Sequence, residues 1–284
     1  MKKLFTLLMI CALALFTGCG GGGENKPADD AGKVKLGMIT RLNASEENFG
    51  DFMKKVEETL EVKIASHVPV FFDNLNSMQM ALQSKQIDEI STYRSVARYM
   101  LAKDPRFEVL KDHSLEFIDS FCFALRDDET ELRDSLNMVI KEMQADGTLD
   151  RLTKEYITDI STEMEPSAVE LPHFDSAQTI KVAVTGDLPP LDFVSADGKP
   201  AGFNTAVLAE IGNRTLKNIE LVQVDSGARA AALTSNQVDV VFWAIVPVSE
   251  IIPSDTDKPS GIILSEPYYK DKIVHIVFKD EETK

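Results

Sequence analysis

Apolar and polar positions follow one another in short blocks, and the period of the blocks switches several times along the chain. Residues 33–40 alternate as a half-buried strand does; Asn43 or Ser45 then stands as a cap before a helix over 49–60. The same pattern predicts strands over 62–66, 87–91, 107–110, 120–125, 180–185, 219–224, 238–244 and 273–278. A helix capped by Asp73 and Asn74 ends near Ser84, and others are predicted over 95–102, 131–144, 149–156, 204–214 and 228–234. Asp104-Pro105 stops one of these helices and Asp146-Gly147 closes another. Residues 158–178 hold two Pro, several acids and no clear period, which describes a linker. Strands alternating with helices predict an α/β protein with mostly parallel sheets.

One octapeptide occurs twice. Ala81-Leu82-Gln83-Ser84-Lys85-Gln86-Ile87-Asp88 returns as Ala232-Leu233-Thr234-Ser235-Asn236-Gln237-Val238-Asp239. Each copy ends a helix and leads into an apolar strand. A repeated α/β unit implies two lobes of one plan, and the cleft between such lobes is where small ligands bind.

The N-terminus changes the picture of where the protein works. Lys2 and Lys3 precede an apolar run from Leu4 to Phe16 and then Thr17-Gly18-Cys19, the layout of a secretion signal and too short for a comfortable membrane span. Small residues directly before Cys19 resemble the bacterial lipobox, in which that cysteine receives a diacylglycerol; Phe16 stands where Leu is usual, and plain signal cleavage beside an incidental cysteine is the alternative. The chain then divides into a signal peptide (1–18) and a lipid-anchored flexible tether (19–33). Of the three cysteines, Cys11 leaves with the signal, and Cys122, between Phe121 and Phe123, reads as a small buried hydrophobe. The four His, at 67, 113, 173 and 275, are scattered without zinc spacing, so no metal or other cofactor is expected. A formal net charge of −16 without a basic stripe argues against nucleic acid as a partner.

Several longer stretches resemble the polar amino-acid type of bacterial extracytoplasmic solute-binding protein, family 3. Ile180–Phe193 with Asp197–Phe203 looks like the opening of such a chain, and Ser265–Tyr269 like the end of its first segment. Phe123–Arg126, Leu132–Leu136 and Ala145–Leu149 look like its closing strand and helices, and Lys35–Asn43 onward to Arg98 like its second lobe. The resemblance implies a two-lobed, type 2 periplasmic-binding-protein fold whose segments occur in permuted order. The boundaries that follow are lobe two at 34–117, the closing elements of lobe one at 118–157, the linker at 158–178 and the first segment of lobe one at 179–280. Circular permutation at the hinge and a tandem of incomplete copies both account for that order. The permuted reading expects the strands at 35–40 and 273–278 to lie side by side, with one covalent crossover between lobes near 115–120.

The resemblance also points to a site. The Arg that holds a ligand carboxylate in the family has no counterpart in Ile245–Ile251, and the family's Asp for the ligand ammonium falls on or near Tyr93. Ser226-Gly-Ala-Arg229 resembles the Ser-x-x-Arg of dicarboxylic amino-acid binders, so Ser226 and Arg229 lead the ligand-binding candidates. Thr185 and Asp187 from the first loop of lobe one, Thr40, Arg41, Asn43 and Arg94 from lobe two, and Trp243 as a wall complete them. For each, an ordinary role as cap, surface charge or core residue is the alternative. No catalytic pair is expected. The implied function is capture of a small polar solute, an amino acid or related carboxylate, by closure of two lobes, with delivery to the permease of an ABC importer. The implied protein is a monomeric lipoprotein outside the cytoplasm. An enzyme on the same fold, of the cyclohexadienyl-dehydratase kind, and a ligand-sensing module are the alternatives.

Overall fold

The computed structural model describes residues 32–61, 67–110, 117–159, 167–249 and 254–279. The signal segment, Cys19 and the strand expected at 62–66 lie outside them. The elements run β1 (Val34–Ile39), α1 (Glu46–Leu60), β2 (His67–Phe72), α2 (Leu75–Gln83), β3 (Glu89–Tyr93), α3 (Arg94–Lys103), β4 (Phe107–Val109) and β5 (Ile118–Arg126). Then come α4 (Thr130–Ala145), α5 (Thr148–Thr153), a π-helical turn (Lys154–Thr158), β6 (Thr179–Val184), β7 (Asp187–Leu188), β8 (Asp192–Val194) and β9 (Pro200–Ala201). The chain closes with α6 (Phe203–Thr215), β10 (Asn218–Gln223), a 3-10 turn (Ser226–Ala228), α7 (Arg229–Thr234), β11 (Val240–Pro247), β12 (Ile262–Leu264) and β13 (Tyr269–Phe278).

Two half-sheets repeat one strand order. In the first, β2-β1-β3 are parallel, β13 joins β3 antiparallel, and β4 joins β13 antiparallel. In the second, β10-β6-β11 are parallel, β5 joins β11 antiparallel, and β12 joins β5 antiparallel. The two antiparallel strands also pair with each other, Asp271 opposite Asp119, and so fuse the halves into one ten-stranded sheet. This is the expected α/β architecture of two lobes, with β7–β9 as a small separate sheet.

The octapeptide repeat is a repeat in space. Lys85 and Asn236 both take φ near 58°, the left-handed turn that ends α2 and α7. Gln86 N–H donates to the Ala81 carbonyl at 2.9 Å and Gln237 N–H to that of Ala232 at 3.0 Å. The aspartates that close each copy do the same work: Asp88 Oδ2 accepts from Lys35 N–H at 2.7 Å and Asp239 Oδ2 from Lys181 N–H at 2.9 Å. The repeat therefore welds the exit of a helix to the start of the first strand of its own lobe.

Three expectations change in the structure. The strand at 34–39 and the strand at 269–278 share a sheet, but β3 lies between them, because the parallel core of the lobe closes before the antiparallel strand adds to it. Both β5 and β13 pair in both half-sheets or at their junction, so two chain crossings join the lobes rather than one. Residues 273–278 consequently belong to the sheet of β1–β4, not with residues 179–272. Two positions near the edges of the described segments remain close: Lys35 and Phe278 flank β3 near Asp88, two strand spacings or about 10 Å apart.

The core is continuous through both lobes. Helix α6 packs against α4 and α5 and is buried from Phe203 to Ala209 and again at Ile211 and Gly212. Its start is fixed by Gly202, whose φ of 95° suits glycine and where a Cβ would come within 2.7 Å of the Pro190 carbonyl. This tight turn holds the β7–β8 loop, and with it Asp187, at the edge of the cleft.

Candidate functional site

The cleft is built where the parallel strands of both lobes end, the usual ligand position in open α/β sheets. Arg229 is its centre and is completely buried. Its Nε donates to the Ser226 carbonyl at 3.1 Å, one terminal nitrogen to the Trp243 carbonyl, and the other to the Thr40 carbonyl of the opposite lobe at 2.9 Å. The guanidinium lies over the Trp243 ring, 4.5 Å from its centroid, a cation–π stack. Burial pulls its pKa down to about 10, against the pull of Asp257 and other neighbours, so it stays charged at neutral pH. Two of its five N–H groups have no acceptor in this set of bonds. Beside it, Ser226 Oγ and Trp243 Nε1 are buried with no hydrogen-bond partner among the described residues.

A second group closes the cleft from the lobe of β1–β4. Arg41 Nη2 reaches Asp119 Oδ2 at 3.2 Å, and the Tyr93 hydroxyl donates to the same oxygen at 2.9 Å. Burial, and then Asp119, push the Tyr93 phenol well above its ordinary range, so it is a donor. Asp257, in the loop after β11, accepts from Asn43 N–H at 3.0 Å and from Ile245 N–H at 3.2 Å. Burial raises its pKa, opposed chiefly by Arg41. Asn43 Nδ2 also donates to the Thr256 carbonyl at 3.2 Å. On the other side, Asp187 Oδ2 caps Leu75 N–H at the start of α2 at 2.8 Å, and Asp73 Oδ1 accepts from Gly227 N–H at 3.0 Å.

These bonds cross between lobes, so the lobes are closed on each other. The space left between them, lined by Ile39, Arg41, Tyr93, Leu188 and Trp243 among others, is about 20 Å³, room for about one water. The Asp187 carboxylate sits on the first turn of α2.

Set against the expected residues, Ser226, Arg229, Asp187, Thr40, Arg41, Asn43, Tyr93 and Trp243 all meet at the lobe junction. Thr40 contributes its carbonyl, while its hydroxyl is turned to the Phe72 carbonyl. Thr185 is buried, and its N–H and hydroxyl both hold Asp192. Arg94 is exposed at the start of α3 and is not part of the cluster. Asp73, Asp119 and Asp257 were not expected. Each lies in a turn or at a hinge, where no local motif distinguishes it from a solvated acid.

The scattered histidines are also corrected. His67 and His275 meet across the sheet with Glu89 between them, His275 Nδ1 at 2.7 Å and His67 Nε2 at 3.9 Å from Glu89 Oε2. Spacing along the chain could not show this, because β2, β3 and β13 are neighbours only in the folded sheet.

Residues 180–283 match the family of bacterial extracellular solute-binding proteins, family 3. No curated protein matches the chain. Among solved structures it is similar to the zinc-bound ligand-binding component of an ABC-type import system from Staphylococcus aureus, at 11% identity and a TM-score of 0.42. That match covers 86% of this chain and 65% of the other, so the chain spans less than two thirds of that protein. It is similar to the GluR0 ligand-binding core from Nostoc punctiforme in complex with L-glutamate, at 8% identity and 0.37, over 88% of this chain and 86% of the other. It is similar to the methionine-binding protein MetQ at 10% and 0.40, over 89% and 86%. Among the described residues no helix is long and apolar enough to cross a membrane.

Burial raises the pKa of Asp187 above the ordinary carboxylate value. A carboxyl with a higher value folded than unfolded makes the folded state bind more protons, so stability rises as pH falls through the folded value and levels near about 4. Asp187→Asn keeps an acceptor for Leu75 N–H and removes the charge. Thermal melts between pH 7 and pH 4.5 are expected to show the variant gaining less from acid than the wild type. Equal gains would exclude Asp187 as a source of the pH dependence.

Proposed function

We propose that this protein is the solute-binding component of an ABC importer and captures a small polar solute bearing a carboxylate, an amino acid or close relative. The observation that carries the reading is Arg229. Two of its bonds, to Ser226 and Trp243, stay within one lobe and fix the plane of the guanidinium. Only the bond to Thr40 crosses to the other lobe. Opening the cleft therefore breaks one bond and presents a held, charged fork beside an unpartnered hydroxyl and indole N–H. A carboxylate suits that arrangement, since charge-assisted bonds to a preset fork are among the strong ones. Closure around the solute then follows from contacts that both lobes make with it.

The chain order is a circular permutation of the family it resembles. Support comes from the identical strand order of the two half-sheets and from Lys35 and Phe278 lying only about 10 Å apart, a closeness of the kind that makes such a change tolerable. The protein is held outside the cytoplasm by a diacylglycerol on Cys19, as the lipobox-like Thr17-Gly18-Cys19 implies.

The single tryptophan lies in the cleft, so its emission reports what binds there. Titration with amino acids and small carboxylates is expected to shift Trp243 emission and raise the melting temperature for one ligand class. Arg229→Lys should weaken that ligand by at least about tenfold, the loss of one charge-assisted contact of roughly 1.5–3 kcal/mol. If neither signal responds to any amino acid or carboxylate, the carboxylate reading fails. For the anchor, the wild type is expected to partition with membranes and Cys19→Ser to appear in the soluble fraction; mass spectrometry finding unmodified Cys19 in the processed protein would exclude it. For the order, a chain begun at residue 167, with 279 joined to 34 by a short linker and ended at 159, should fold to a monomer with unchanged Trp243 emission. An unfolded or dimeric product would overturn the permutation.

A further inference from the structure

We infer that His67, Glu89 and His275 form a binding site for a divalent transition metal of the zinc class, on the lobe of β1–β4 and remote from the cleft. The side chains share one face of the sheet. His67 pairs with Val34, Glu89 with Leu36 and His275 with Ser91, and directly paired residues, like residues two apart on one strand, point to the same side. His67 and Glu89 are the first residues of β2 and β3, whereas the cleft lies past the strands' other ends.

The donor set fits the ion. One atom from each residue, two imidazole nitrogens and a carboxylate oxygen, lies within 4.8 Å of the others. The rings stand edge to face, with centroids 5.8 Å apart. Tetrahedral zinc with bonds of about 2.0–2.2 Å holds its ligands roughly 3.3–3.5 Å apart. The contacts of 2.7 and 3.9 Å to Glu89 Oε2 bracket that separation and the two imidazole nitrogens lie within 4.8 Å of each other, so side-chain shifts on the order of an ångström bring the three donors onto one ion. Two imidazoles with one carboxylate select zinc, copper or nickel over calcium and magnesium, which take oxygen ligands. The three side chains are 10%, 16% and 15% exposed, shielded but reachable. Three protein ligands leave one position open, for water or another donor. The bound ion would tie β13, the last strand of the chain, to β2 and β3 across the intervening sheet.

The test uses the full chain. Co²⁺ is expected to give the visible bands of a tetrahedral site, and Zn²⁺ to displace them and raise the melting temperature by several degrees, while Mg²⁺ and Ca²⁺ do neither. Glu89→Gln and His275→Asn should each weaken Co²⁺ at least about tenfold, with circular dichroism confirming the fold; His67→Asn serves if either fails to fold. Absence of Co²⁺ bands in the wild type would overturn the site and leave a hydrogen-bonded His–Glu–His cluster. Bands that survive unchanged in the folded variants would place the metal elsewhere and overturn it equally.

Discussion

A buried guanidinium with no carboxylate in direct contact among the described residues is the constraint around which the two lobes are arranged. An isolated ion in that position is costly, and removing water from Arg229 is what lowers its pKa. The fold answers with three carbonyls, an indole face and two aspartates at longer range. Two of the carbonyls come from one lobe and the third from the other. Closure of the cleft is thus part of how the charge is satisfied, and opening it exposes a charge already oriented by its own lobe.

The same logic governs the acids. Asp257 and Asp187 are each taken out of water, and each takes backbone N–H donors in exchange, Asp187 from across the cleft and Asp257 from both sides of it. Asp119 sits on the crossing strand β5 and gathers Arg41 and Tyr93 from the other lobe at one oxygen. A hinge strand is the one place that touches both lobes whatever their separation. An acid there holds partners from the other lobe at the strand that joins the two.

Much of the architecture was legible because it is local. The helix caps at Ser45 and Asn74, the strands β3, β5, β6, β10 and β11 and the octapeptide turn are set by short-range pattern and by the left-handed residue that ends each repeat. What was not legible depends on distant pairing. Strand β12 and the two-residue strands β7 and β9 are too short to carry a period. The place of β13 in the opposite half-sheet follows from antiparallel addition beside β3, which no feature of residues 273–278 encodes alone. For the site, Arg229, Tyr93 and Trp243 stood out by residue type and meet at the lobe junction, but their geometry was not legible. An Arg at a helix start reads as an exposed fork, and only the strand ends of the other lobe turn it into a buried bridge.

If the carboxylate solute proposed above binds beside Arg229, its affinity is the difference between the contacts it makes and those it displaces. The two Arg229 N–H groups outside its three carbonyl bonds, with the Ser226 hydroxyl and the Trp243 indole N–H, are donors such a solute would take without displacing anything, whereas the bond from Arg229 to the Thr40 carbonyl is the one that opening gives up. A carboxylate that gains more from those donors than the lobes lose at Thr40 would then drive its own capture.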